Sequence, residues 1–496
     1  MKILLISSNR ERHPWPIPPV GACYVASNLE HSGFDVQVLD ILFSDNPSFE
    51  IREKIRQFMP DLVGVSIRNI DNVDRQSPCF YLTDVKEDVI DPIRRMTSAP
   101  LVIGGAAVSI MPERIMNFLA ADYAVCGEGE ETLPQLARYL ELNSDVSSIA
   151  GLFYRNEGRV TGNPVKRIED LDGLILPRIY RWIDWKKYHL NYSPYPVQSK
   201  RGCEQKCSYC VYNRIEGNRY RLRDPERIVD EIEDIVKNCK SQVIEFTDST
   251  FNLPLEHALD ICREIIRRRI KVAFNTMGIN PGSVTEELVA LMKEANFIEV
   301  SCTPESGSER MLKALGKNFA LAHVERAAKF LSKAGMPVVW YFLFGGPGED
   351  ESTIRETFEF IEQNIVKQDL VFITTGIRIL PGSPVYTYSQ EIGQLPGGTD
   401  ILRPVWFQPE GITMETMLYM INREVITHSN YINLQDNTDE SALAMILKRV
   451  YSFLGLQKPI WSNVMRRDII YRLTGYNRYR LWKLEKEYRD CSSLGQ

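Results

Sequence analysis

Nothing in these 496 residues is apolar for long enough to cross a membrane as a helix, which takes a run of about 18. The longest apolar runs, such as Val338–Phe344, have the length of a buried strand. The opening Met1-Lys-Ile-Leu-Leu-Ile-Ser-Ser is too short for the core of a secretory signal and reads as a first strand. Positive charge is not in excess. The formal charge of -6 argues against nucleic acid as a partner of the whole chain. G-x-G-x-x-G is missing after the first strand, so a dinucleotide is not favoured. No internal repeat or low-complexity segment interrupts a composition, 44% hydrophobic and 25% charged, that is typical of a globular protein. The ten cysteines show no disulfide-like framework, which in a chain of this size points to a reducing compartment, the cytoplasm.

Three of those cysteines, Cys203, Cys207 and Cys210, share one short segment with the spacing C-x3-C-x2-C. Thiolates are the protein ligands of a 4Fe–4S cluster. With three ligands for four irons, one iron stays open to a small chelating molecule. A structural zinc would want four ligands, and no C-x-x-C or His-x-His lies nearby to complete the set. A chance trio is the remaining alternative. Cys23, Cys79, Cys126, Cys239, Cys262, Cys302 and Cys491 read most simply as buried small hydrophobes.

The length suggests two to four domains of the α/β class. Residues 1–150 alternate apolar runs (Ile3–Ser7, Asp35–Asp40, Leu62–Ser66, Leu101–Gly104, Tyr123–Val125) with amphipathic helical stretches, which predicts a doubly wound, Rossmann-like parallel sheet. Ligands of such sheets bind at the carboxyl ends of the strands. Those ends carry Ser66 to Asn69, Gly104-Gly105 and Gly127-Glu128-Gly129. Glycine there allows close backbone approach, or simply makes a tight turn. Residues 151–195 read as a connector with a short hairpin. Residues 196–390 resume the alternation, with strands expected at Gln242–Thr247, Lys271–Thr276, Phe297–Cys302, Met336–Phe344 and Phe372–Ile379. Counting the strand before Cys203, this predicts a partial (β/α)6 barrel whose site opens at the strand carboxyl ends. Residues 391–496 read as a helical C-terminal domain. Within it Lys458–Arg489 has nine Lys/Arg against three Asp/Glu, with interleaved Trp and Tyr. Such a stretch can meet an anionic substrate or lipid, but is more often a helix packed on its own protein with its charges solvated.

The C-x3-C-x-aromatic-C run resembles the cluster motif of the radical SAM superfamily, and the wider pattern is similar to its cobalamin-binding branch. Pro16-Ile-Pro-Pro-Val-Gly, Val102-Ile-Gly-Gly and Ala124-Val-Cys-Gly-Glu-Gly-Glu-Glu carry the likeness in the sheet. Phe246-Thr-Asp-Ser-Thr-Phe, Pro304-Glu-Ser-Gly-Ser-Glu, Phe344-Gly-Gly-Pro-Gly-Glu and Leu380-Pro-Gly-Ser-Pro carry it in the barrel. The resemblance covers roughly residues 1–390. It implies S-adenosylmethionine (SAM) on the open iron, cleaved to methionine and a 5′-deoxyadenosyl radical. It further implies Tyr209 stacked on adenine and Asp248 on the methionine amino group. Glu305 and Ser306 would bind the ribose hydroxyls or the carboxyl end, and Gly345 and Gly346 would stand beside adenine. From the residues alone, Tyr209 can equally pack under the loop, and Asp248 can be a helix N-cap. The strand-end residues Ser66, Asn69, Gly104, Gly105, Gly127, Glu128 and Gly129 would bind cobalamin.

The chain departs from the pattern at Ser249, where the family has a second acidic residue, and at Ala106, where several relatives have Pro or His. It also lacks Asp-x-His-x-x-Gly, and only His13 lies in a cobalamin-facing loop. Cobalamin without a protein histidine on cobalt is therefore expected, a sheet domain that has lost cobalamin being the alternative. The reaction implied is methylation of an unactivated carbon, using the 5′-deoxyadenosyl radical and methylcobalamin. Cyclisation or ring rearrangement with the same cofactors is the alternative, and a non-enzymatic corrinoid or metal carrier a remote one. The substrate would be a small molecule, lipid or peptide, and the electron would come from a flavodoxin- or ferredoxin-type reductant.

Overall fold

The computed structural model describes residues 1–13, 15–239, 243–433, 449–456 and 476–494. Five parallel strands, β1 (Lys2–Ser7), β2 (Asp35–Asp40), β3 (Leu62–Ser66), β4 (Leu101–Gly104) and β5 (Tyr123–Val125), lie in the order β2-β1-β3-β4-β5. They run parallel because each crossover passes through helical segments, such as Val20–His31, Pro47–Phe58 and Pro112–Phe118, which cover both faces. The chain winds outward from β1 in both directions, so a crevice forms above the carboxyl ends of β1 and β3. Ser8 closes that switch point, its N and Oγ both donating to Ser66 O at 3.1 and 2.9 Å. The hairpin expected in the connector, β6 (Leu152–Asn156) and β7 (Arg159–Gly162), adds two antiparallel strands to the β5 edge of the same sheet.

The second alternating region gives β8 (Tyr195–Val197), a two-stranded ribbon of β9 (Lys200–Arg201) and β10 (Arg221–Leu222), then β11 (Val243–Phe246), β12 (Ala273–Thr276), β13 (Val300–Glu305), β14 (Val338–Phe344) and β15 (Leu370–Thr375). Strands β12-β11-β8 form one parallel sheet and β13-β14-β15 belong to another, and parallel bridges Phe274–Phe297 and Ile279–Cys302 join the two into a partial barrel. The intervening helices are amphipathic. Pro225–Asn238, for example, is capped by Asp224, which accepts from Glu226 N and Arg227 N, and buries Ile228, Ile232 and Ile235. Phe246, Phe251, Phe274 and Phe297 stack inside, with centroids 4.7–5.9 Å apart.

A strand beyond the expected six, β16 (Tyr431–Asn433), pairs in parallel with β15. It comes from the region read as wholly helical, because three residues are too few to show a period. The C-terminal region otherwise contributes the helices Met414–Thr427 and Tyr476–Leu494, which stack through Tyr419 and Tyr488 at 4.0 Å. Of the basic aromatic stretch, residues 458–475 lie outside the described residues. No helix among the described residues is long and apolar enough to cross a membrane.

Two buried charge clusters tie sheet to barrel. On one side Arg201 and Arg221, from the ribbon, meet Glu128 and Glu130 after β5: Arg201–Glu128 3.2 Å, Arg201–Glu130 2.6 Å, Arg221–Glu128 2.7 Å. On the other, Asp71 from the loop after β3 pairs with Arg378 after β15 at 3.0 Å, with both side chains almost fully buried. Neighbouring Arg75 donates to Phe407 O at 2.7 Å and to Gln408 Oε1 at 3.0 Å. Removing one partner of such a pair strands a desolvated charge. Arg378→Met is therefore expected to lower stability by about 3–5 kcal/mol, read as an earlier unfolding midpoint in denaturant. The double variant Arg378→Met, Asp71→Leu should recover part of that loss.

Candidate functional site

The three cysteines lie on the loop of the β9–β10 ribbon. Gly202 starts that loop at φ 91°, where any side chain would collide with the Arg219 carbonyl. Cys203 N donates to Gly217 O at 3.0 Å and Cys210 N to Cys207 O at 3.2 Å, so the loop holds its own shape. From below, Ser208 N donates to Leu315 O at 2.9 Å. Burial pushes the Cys207 thiol up, and the Cys210 thiol up to about 11. Such groups stay protonated unless a metal takes the proton's place. The three sulfurs do not all lie within 4.8 Å of one another. Tetrahedral zinc, with Zn–S near 2.3 Å, would need them about 4 Å apart. Thiolates bound to three different irons stand farther apart, and three thiols on one loop are a donor set for an iron–sulfur cluster with one iron left open.

Above the cysteines lies a cavity of about 690 Å³ between barrel mouth and sheet. One wall consists of the strand ends Ser66, Gly104, Gly105, Gly127, Glu128 and Gly129. The other carries Cys203, Cys207, Cys210, Tyr209, Asp248 and Glu305. Gly105 has φ 102°, and a Cβ there would strike the Ile67 backbone, so the strand end can be closed only by glycine.

Residues 197–361 match the family model of the Radical SAM superfamily, and residues 14–137 that of the B12 binding domain. An uncharacterised methyltransferase of Pyrococcus horikoshii is 27% identical over 75% of this chain and 78% of its own. The tryptophan 2-C-methyltransferase of Streptomyces laurentii is 28% identical over 76% and 73%. The chain belongs to the cobalamin-binding branch of the radical SAM superfamily. Its fold is that of the radical SAM methyltransferase TsrM from Kitasatospora setae, solved with tryptophan and a SAM analogue. The two structures superpose with a TM-score of 0.82 at 23% identity, over 96% of this chain and 99% of that one.

Within the radical SAM barrel, not every expected residue faces the cavity with a free side chain. Asp248 lines it, but its carboxylate accepts from Ser199 N at 2.8 Å, Ser199 Oγ, Lys200 N at 3.3 Å and Lys200 Nζ at 3.4 Å. Lys200 is only 1% exposed, and its buried ammonium takes the carboxylate that was expected to meet an amino group. Glu128 is likewise used up by Arg201, Arg221 and the Ile168 N–H. Ser306 stands off the cavity, its hydroxyl 3.1 Å from Thr357 Oγ1. Gly345 and Gly346 pack against Gly376, Met417, Leu315 and Met311 rather than on the cavity wall. Asn69 lines a smaller side pocket of about 140 Å³, which shares Asn9 and Arg68 with the main cavity.

Tyr209 donates to Glu305 Oε1 at 2.9 Å, and Lys317 Nζ lies 3.0 Å from its hydroxyl and 5.3 Å over its ring. Glu305 ends β13 at φ 70°, after a register shift that began at Cys302. That backbone conformation is uncommon for a non-glycine residue at a strand end. Lys317 was not expected; its signal was a lone Lys in the turn Leu315-Gly-Lys-Asn. Arg68 was also missed. It lines the cavity, with no ion pair or hydrogen bond among the described residues, and burial lowers its pKa.

Glu349 closes the turn after β14, accepting from Gly345 N at 3.1 Å and Thr353 Oγ1 at 2.5 Å. Burial pushes its carboxyl from 4.5 up to about 7. The folded state thus holds this proton more tightly than the unfolded chain. The resulting stability is complete below pH 4.5 and is lost as pH rises through about 7. Glu349→Gln should match the parent at pH 5 and exceed it at pH 8, by up to about 3 kcal/mol, in denaturation measured at both pH values.

Proposed function

We propose that this chain is a cobalamin-dependent radical SAM methyltransferase acting on an unactivated carbon of a small molecule. The observation that carries this reading is the single cavity walled by the three cysteines on one side and the strand ends of the B12 binding domain on the other. The cofactors bring the chemistry: a 4Fe–4S cluster and SAM supply a hydrogen-abstracting radical, and cobalamin supplies a transferable methyl group. The protein's share is to bind, orient and exclude water.

Cys203, Cys207 and Cys210 offer three thiolates and leave the fourth iron to SAM. Lys317, in the wall beside Cys207, presents a cation suited to a carboxylate, and Tyr209 and Glu305 hold it there. Asp248 acts one layer back, locking Ser199 and Lys200 at the base of the ribbon. On the opposite wall, Gly104, Gly105, Gly127 and Gly129 let a large planar ligand approach the backbone. No histidine lines the cavity among the described residues, and Arg68 lines it just beyond the end of β3. This supports cobalamin held without a protein histidine on cobalt. The two charge clusters keep sheet and barrel closed over the cavity, which matters because a primary carbon radical attacks almost any C–H bond it meets. The nine cysteines described are free thiols, as suits a reducing cytoplasm and a flavodoxin- or ferredoxin-type electron donor.

The test is product analysis on the anaerobically reconstituted chain, loaded with cobalamin and given SAM and candidate small molecules. Methylation yields S-adenosylhomocysteine and 5′-deoxyadenosine in roughly equal amounts. Deoxyadenosine without S-adenosylhomocysteine under turnover would overturn methyl transfer in favour of ring formation. Cys203→Ala, Cys207→Ala and Cys210→Ala should each lose the cluster's iron and both products.

A further inference from the structure

The cluster loop's sulfurs are not met by backbone alone. Cys210 Sγ accepts from Tyr212 N at 3.4 Å, an ordinary loop contact. Cys207 Sγ instead has the Lys317 ammonium 3.9 Å away. That lysine is held from three sides. Its backbone N–H is tied to Leu312 O at 2.9 Å, Gly316 before it packs under the Lys206 carbonyl, and its Nζ also reaches Tyr209 Oη and Glu305. With 6% of its side chain exposed, it cannot swing into solvent. Beside Cys203 stands Tyr220, at the end of the same loop. Its hydroxyl is buried and faces Cys203 and Gln205. A buried hydroxyl needs an acceptor for its proton. A thiolate at Cys203 is that acceptor.

We propose that Lys317 and Tyr220 set the reduction potential of the cluster, each directing a proton donor at one ligand sulfur, Lys317 at Cys207 and Tyr220 at Cys203. The proposal rests on the cluster reading above. Reduction adds an electron to a buried, already anionic centre. Hydrogen bonds and nearby positive charge at the sulfurs stabilise that added charge and raise the potential. Glu305, 3.5 Å from Lys317, opposes part of the effect. The two are thus positioning residues for electron uptake, distinct from any contact Lys317 makes with SAM.

The experiment is an EPR-monitored potentiometric titration of the reconstituted full chain without SAM, with iron and sulfide measured on each sample. Lys317→Met should shift the midpoint clearly negative, Tyr220→Phe should shift it negative by less, and Lys317→Arg should stay near the parent. Should Lys317→Met take up little iron, Tyr220→Phe and Lys317→Gln decide by the same criterion. Midpoints that coincide with the parent at equal iron and sulfide content overturn the proposal. A parent that takes up no cluster overturns the functional reading itself, so the two failures are distinguishable.

Discussion

The arrangement of this protein hangs on charges that have been taken out of water. Arg201 and Arg221 flank the cysteine loop, and Glu128 and Glu130 follow β5 of the B12 binding domain, all with side chains no more than 7% exposed. A buried guanidinium without a carboxylate would cost several kcal/mol, so the loop and the sheet cannot separate without exposing or stranding these groups. The B12 domain and the radical SAM barrel therefore meet at the cluster loop itself. The Asp71–Arg378 pair repeats the device on the far side of the cavity.

Between these two ties the cavity walls follow the same economy of charge. Lys200 takes Asp248, Lys317 takes Glu305, and Arg221 takes Glu128. Carboxylates that look available in the chain are thus already partnered, whereas Arg68 lines the cavity without an ion pair among the described residues. That suits a site whose reactive parts belong to its cofactors.

Much of the fold was legible because it is written in local periodicity. The five strands of the B12 domain and the main barrel strands alternate with helices whose apolar faces recur at helical spacing, and each was found within a few residues. The hairpin at β6–β7 was legible as a hairpin but not as part of the first sheet, since pairing with β5 is a long-range choice. Strand β16 was not legible at all. Three residues carry no pattern, and their partner β15 lies some sixty positions earlier. At the site, the cysteines and the glycine-rich strand ends reach the cavity as expected. Ser306, Gly345 and Gly346 do not; they are buried in two loops that pack against Thr357, Gly376 and Met417 instead.

The amino-acid sequence by itself determined the α/β alternation, the three-thiolate loop and the glycines that only a tight strand end accepts. These depend on neighbours a few positions away and on the conformations each residue can adopt. The tertiary structure alone decided which charges pair. Arg221 meets Glu128 across 93 positions and Arg378 meets Asp71 across 307. It also placed Lys317, a lysine in an ordinary turn, 3.9 Å from a cluster sulfur. Burial and the pairing it enforces are properties of the assembled core, where water is excluded, and no local pattern in the chain records them.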